Sequence, residues 1–159
     1  MAGLLNEGST VTINKKEDNP MEHIFGEYRI SNDKALLSIQ RIKELLAQSY
    51  WAKERPIEAI EMSVRNSDCY GVYLKGEQIG VARVVSDNAT VFWLCDVIID
   101  EKHRGKGFGS QLITEVIEDS KRKGMKRVEL DSAFHREKAH LFYAKLGFEK
   151  RAFLFSYTL

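Results

Sequence analysis

Apolar residues recur along this chain at two spacings, and the changes between them divide it into elements. Ile24 to Ile30 reads as a first strand. Ser31-Asn32-Asp33 supplies N-cap chemistry, and Leu36, Ile39, Ile42, Leu45 and Leu46 then fall at helical spacing. Pro56 opens a second helix with Ile57, Ile60 and Val64 on one face, ending near Asn66. Cys69 to Leu74 and Gln78 to Val85 read as strands joined by a hairpin turn at Lys75-Gly76-Glu77. After a turn at Ser86-Asp87-Asn88, Val91 to Ile99 is nearly all apolar, which predicts a central, buried strand. Phe108, Leu112, Ile113, Val116 and Ile117 then share one face of a helix ending in Lys121-Arg122-Lys123-Gly124. Arg127 to Leu130 reads as a strand. His135 to Leu146 reads as a helix with Ala139, Phe142, Tyr143 and Leu146 inward and Gly147 as its C′ residue. Phe153 to Tyr157 closes the chain as a strand.

The resulting order is β-α-α-β-β-β-α-β-α-β. It predicts an α/β (α+β) fold with a mixed central sheet and helices on both faces. No linker divides residues 23–159, so they are expected to form one domain. Residues 1–22 are a polar tail or, through Val11-Thr12-Ile13, an edge strand.

Composition narrows the function classes. The 159 residues are 43% hydrophobic and 30% charged, as in a globular domain. The formal net charge of +1 supplies no field for nucleic acid, so any charge preference must be local. The basic run at Lys121-Arg122-Lys123 is read as complementing a helix dipole. No apolar run is long enough to span a membrane, and Leu4-Leu5 before Asn6-Glu7 does not make a signal peptide. Cys69 and Cys95 form neither a metal spacing nor a disulfide framework, which suits a cytoplasmic location. No metal is expected.

The chemistry gathers at Arg104-Gly105-Lys106-Gly107-Phe108-Gly109, between the apolar strand and the amphipathic helix. Glycines opening a helix let a ligand approach bare N–H groups where the helix dipole favours negative charge. Arg104 and Lys106 add positive charge, so the loop reads as a phosphate cradle. A dinucleotide fingerprint would need a third glycine, and Ser110 or Leu112 stands there instead. A P-loop would need Gly-Lys-Ser/Thr at the helix start, which Gly105-Lys106-Gly107 does not supply.

The same six residues match R/Q-x-x-G-x-G/A, the signature of the GNAT family of N-acetyltransferases. A hydrophobic strand precedes it, Leu94-Cys95-Asp96-Val97-Ile98-Ile99-Asp100-Glu101. Ala139-His140-Leu141-Phe142-Tyr143-Ala144-Lys145-Leu146-Gly147-Phe148 follows at the family's separation. Over roughly residues 24–157 the chain resembles that family, and the element order is that of the GNAT fold.

The resemblance implies acetyl-CoA as co-substrate, with no metal, and a small-molecule amine as acceptor. It implies that backbone N–H groups from Arg104 through Gly105, Lys106, Gly107, Phe108 and Gly109 to Ser110 hold the coenzyme pyrophosphate. The backbone of Val97, Ile98 and Ile99 would pair with the pantetheine arm. Tyr143 occupies the position of the general acid. Asp96 interrupts a Val/Ile-rich strand, where Asp is disfavoured, and is the expected general base. Arg136 stands where many members have Asn, and is read as a contact to a coenzyme phosphate. Glu129 and Asp131 share a strand face read as solvated, and His135 and His140 are read as surface or helix-terminal residues. Tyr50, Trp51, Glu54 and Arg55 are plausible acceptor contacts. Neither nucleic acid nor a membrane is an expected partner, and a homodimer would pair through the last strand. Two other functions stay open: a non-catalytic acyl-CoA-binding module, and acetylation of a protein lysine or N-terminus.

Overall fold

Five strands pair antiparallel in the order in which the chain makes them: β1 (Glu22–Phe25), β2 (Tyr28–Ser31), β3 (Asp68–Leu74), β4 (Glu77–Ser86) and β5 (Phe92–Ile99). This is a computed structural model, and it describes residues 19–159. The expectation for residues 1–18 lies outside that range.

The segment expected to be one strand from Ile24 to Ile30 is a hairpin. Gly26, at φ +62°, takes the left-handed conformation that a two-residue turn needs, so Phe25 pairs with Tyr28. Lys75 and Gly76, at φ +51° and +87°, form the anticipated turn between β3 and β4.

Among the described residues four α-helices cover the sheet: α1 (Ile39–Leu46), α2 (Ile57–Arg65), α3 (Phe108–Arg122) and α4 (Glu137–Lys145). Ser38 caps α1 by accepting from Arg41 N–H at 3.2 Å, and Pro56 precedes α2, which ends at Asn66. Strand alternation sends adjacent residues to opposite faces. Tyr70, Ala82 and Ile99 pack with Phe108, Leu112, Ile113 and Val116 of α3. Cys69, Val81 and Ile98 pack with Ile42, Leu45, Leu46 and Ile60 of α1 and α2. Helices on both faces are therefore what the chain builds. Gly147, at φ +90°, follows α4 in the left-handed conformation of a C′ residue.

Three expected strand features change. β5 is last in the ladder rather than central. Its apolar run reflects helices covering both faces, while its outer edge stays largely unpaired. The strand expected at Arg127–Leu130 contracts to one parallel bridge between Trp93 and Glu129. Leu94 N–H donates to Glu129 O at 2.7 Å, and Glu129 N–H donates to Phe92 O at 3.0 Å. Phe153 to Tyr157 forms no ladder among the described residues. Phe153, Phe155 and Tyr157 are 79%, 90% and 89% exposed. Alternation alone cannot make a strand without a sheet edge to receive it.

The basic run Lys121-Arg122-Lys123 is held by acids as well as by the dipole. Lys123 Nζ meets Asp68 at 2.8 Å and Asp119 at 3.2 Å, and Arg122 meets Asp119 at 3.0 Å. Among the described residues no helix is long and apolar enough to cross a membrane.

Leu112 is fully buried where α3 meets the sheet. Leu112→Ala should lower unfolding free energy by about 2–5 kcal/mol. Urea denaturation with an unchanged slope is the check.

Candidate active site: a glycine loop beside an open strand edge

β5 is deformed where the site begins. Cys95 pairs with Arg83 and Ile98 with Val81, so Asp96 and Val97 together oppose Ala82. This is a β-bulge, and Asp96 adopts φ +46°, an unfavourable conformation for a residue with a side chain. Beyond the Leu94 contact, the outer edge of β5 has no backbone partner among the described residues.

Two arginines hold the bulge. Arg55, from the segment joining α1 and α2, donates to both Asp96 oxygens, at 2.7 and 3.1 Å. Arg83 of β4 donates from Nε to Asp96 Oδ2 at 2.8 Å and from Nη1 to Ser67 Oγ at 3.0 Å. Burial alone would raise the Asp96 pKa. The bonds and charges of Arg55 and Arg83 outweigh it and hold the carboxyl below its ordinary value. An anion so well satisfied accepts a proton poorly. This geometry suits holding Arg55 and Arg83 in place better than it suits the expected base.

A second ion pair sets the loop. Asp100 is buried, pairs with Arg41 of α1 and accepts from Lys102 N–H at 3.0 Å, capping a single 3-10 turn at Glu101–His103. Burial opposes its charge, and these partners keep its pKa low. Arg104 donates from Nε to Ile99 O at 2.8 Å and from Nη2 to Gln48 Oε1 at 3.3 Å. The turn, the strand end and α1 are thereby tied together.

The chain then enters α3 through Gly105 and Gly107, at φ +76° and +86°. Gly107 is the N-cap residue and offers no side chain to cap the helix. The N–H groups of Phe108, Gly109 and Ser110 therefore lack intrahelical acceptors and remain available to an anion. A Cβ on Gly109 would lie 3.7 Å from both Ile99 and Phe142, so α4 packs directly against the loop.

The loop, the open strand edge and α4 border a half-open cavity of about 640 Å³. Its walls include Val97, Ile98, Ile99, Arg104, Gly105, Gly107, Phe108, Gly109, Ser110, Arg136 and Tyr143, all singled out from sequence. Asp96 and Lys106 are not among them. Lys106 points back to Lys102 O at 3.5 Å. Gln48, His103, Lys138, Ala139 and Phe142 were not anticipated as lining residues, whereas Trp51 was expected only as an acceptor contact. Gln48 and His103 carry no local signal, because distant segments meet there. The lining contains no Asp or Glu.

Tyr143 is half-buried between Phe142 and Phe148, with ring centroids at 5.2 and 5.5 Å. Burial raises its pKa, Arg136 opposes the rise and Asp131 adds to it, so the hydroxyl keeps its proton at neutral pH. The Arg136 guanidinium lies 4.5 Å from the Trp51 ring centroid. His140 contacts Ala133 O at 3.0 Å, and the His135 ring lies 5.1 Å from that of Tyr50. Asp131 accepts the Trp93 indole N–H at 3.3 Å, and Glu129 is exposed.

A second hollow, of about 520 Å³, lies by β1 and is lined by Asn32, Asp68, Asp119 and Lys123 among others. Its charges are largely committed to one another.

Comparison with known proteins agrees with this geometry. The model of the acetyltransferase (GNAT) family matches residues 36–148. A Gibberella zeae protein, assigned by name to the acetyltransferases, is 29% identical over 151 residues, covering 80% of this chain and 82% of its own. The crystal structure of a Xanthomonas campestris pv. campestris protein assigned to the GNAT family is 32% identical, with a TM-score of 0.73. It covers 83% of this chain and 93% of its own. The fold is also that of a GNAT acetyltransferase from Elizabethkingia anophelis with acetyl-CoA bound. That pair shares 21% identity at a TM-score of 0.68, over 80% of each chain.

Asp96→Asn removes the charge that Arg55 and Arg83 share, and should cost about 2–4 kcal/mol at neutral pH. Because the folded-state pKa lies below aspartate's ordinary value of 3.8, the difference between wild type and variant is fully present above that value. It should shrink as pH falls below 3.8 through the folded pKa. Chemical denaturation of both proteins from pH 7 downward measures it.

Proposed function

The chain belongs to the acetyltransferase (GNAT) family, and we propose that it transfers the acetyl group of acetyl-CoA to a primary amine by direct attack in a ternary complex. The observation that carries this reading is that one cavity receives both an uncapped helix N-terminus and an unpaired strand edge. Coenzyme A needs both, having a pyrophosphate at one end and a strand-like chain of amides in its arm. The cavity also fits the ligand in charge, since its lining holds Arg104 and Lys138 near the loop and α4 and no carboxylate.

In this reading the N–H groups of Phe108, Gly109 and Ser110 hold the pyrophosphate, with Arg104 beside them. The free edge at Val97–Ile99 pairs with the pantetheine amides as an added strand would. The bulge keeps that edge clear and turns a backbone N–H toward the thioester oxygen as negative charge develops there. The neutral amine forms a C–N bond to the acetyl carbon, the C–S bond breaks, and Tyr143 gives its proton to the departing thiolate. Its raised pKa keeps that proton in place until then. Asp96 holds Arg55 and Arg83 at the bulge, and the amine loses its proton to water. Lys106 adds charge near the phosphates without lining the cavity.

The purified protein should release free thiol from acetyl-CoA when offered an accepted amine. Tight coenzyme A binding without turnover on any amine would instead make the chain a binding module. Tyr143→Phe should lower kcat about 100-fold with a much smaller change in KM for acetyl-CoA. Gly107→Val forces a β-branched residue into φ +86° and should abolish coenzyme A binding by calorimetry while the circular dichroism spectrum is retained. Unchanged affinity would remove the loop from the coenzyme site.

A further inference from the structure

The start of α4 carries, in the cavity wall, a cation that the uncharged arm of coenzyme A does not require. Phe142 marks the loop end, because its ring is what a Cβ on Gly109 would meet. Arg136 lies six residues earlier, about 9 Å back along α4 at 1.5 Å per residue. There it rests on Trp51, from the segment joining α1 and α2. The pantetheine arm and thioester near Tyr143 are uncharged, so a guanidinium there balances nothing in the donor. Nor does it balance the protein. It faces an aromatic ring rather than a carboxylate, and no Asp or Glu lines the cavity. Asp96 is taken up by Arg55 and Arg83, and Asp131 by the Trp93 indole. Stacking fixes the guanidinium plane while leaving its N–H edge free for a bidentate oxyanion.

We propose that the acceptor is an amine that also carries an oxyanion, a carboxylate or a phosphate, and that Arg136 held on Trp51 recognises it. This inference rests on the acetyl-transfer reading above. Arg136 and Tyr143 are seven residues apart on one helical face, which limits the spacing of amine and oxyanion to about 10 Å. The acceptor is therefore small. The same cation disfavours a protonated amine beside it, which promotes the neutral nucleophile. A cavity without carboxylates also rejects polycationic amines.

The test uses matched pairs, an amino acid against its amide and an amino-sugar phosphate against the bare amino sugar, with spermidine as the cationic probe. Each is measured by kcat/KM and by calorimetric titration into the coenzyme A-bound protein. The oxyanion member of at least one pair should be preferred by about 10-fold or more, and the pair that responds separates carboxylate from phosphate. Arg136→Gln should bring that ratio toward one at an unchanged KM for acetyl-CoA, and Arg136→Lys should retain part of it. Absence of preference in both rate and binding, or preference for spermidine, overturns the proposal. So does Arg136→Gln raising the KM for acetyl-CoA while the ratio persists, since Arg136 then serves the donor. If coenzyme A does not bind, the donor reading falls. Titration of the same pairs into the free protein then still reports on Arg136: an Arg136-dependent preference for the oxyanion member upholds its recognition, and its absence overturns it.

Discussion

The site depends on a strained residue held by two arginines. Asp96 at φ +46° is unfavourable in isolation, and such strain persists only where its surroundings over-determine it. Here the surroundings are Arg55 and Arg83, which reach one carboxylate from two different parts of the chain. The same bonds that fix the bulge attach the α1–α2 segment to β4, so the wall carrying Trp51 is anchored to the strand that carries the open edge. Opening that edge exposes backbone groups that would otherwise pair, an arrangement that normally invites aggregation. Confining it to the short stretch after the bulge, and facing it into a cavity closed by α4, limits that liability.

Charge in this chain is sorted rather than scarce. A net charge of +1 hides a strong internal pattern. Asp100 consumes Arg41, Asp96 consumes Arg55 and Arg83, and Asp68 with Asp119 consumes Lys123 and Arg122. Each pairing serves a structural joint. What is left facing the cavity is positive or neutral. Buried pairs contribute modestly to net stability, because desolvation offsets much of their attraction. Their larger effect is to specify geometry, and secondarily to leave the cavity lining without Asp or Glu.

Legibility from sequence followed the range of the interactions involved. The glycine loop, its helix and the Gly147 stop depend on local backbone conformation and on one amphipathic face, and each could be read directly. Tyr143 and the edge residues Val97–Ile99 were placed by resemblance, and the fold brings them to one cavity. The failures share a cause. Gly26 was absorbed into an apolar run because one glycine signals a turn only when a strand is available to pair back. Arg127–Leu130 and Phe153–Tyr157 have strand-like composition, but a strand exists only through its neighbour. Asp96 stood out correctly as a carboxylate in an apolar strand. Its partners, 41 and 13 residues away in sequence, leave no trace at that position, so the ion pairs that favour a positioning role over a base are visible only in the fold.

Arg136 extends this argument to specificity. From sequence it is a substitution for an expected asparagine next to an already basic donor site, which suggested a phosphate contact. The fold sets Arg136 more than a turn of α4 away from Phe142, which meets the loop, and supplies Trp51 as a platform. The role proposed for this charge rests on its position along the helix, which composition alone leaves open. The glycine loop proposed to hold the donor offers backbone groups, and backbone N–H groups discriminate poorly among side-chain types. Discrimination among acceptors has to come from side chains that the donor leaves unused. Under the proposal above those are Arg136 and the indole on which it stacks, so exchanging them should alter selectivity while the loop is kept.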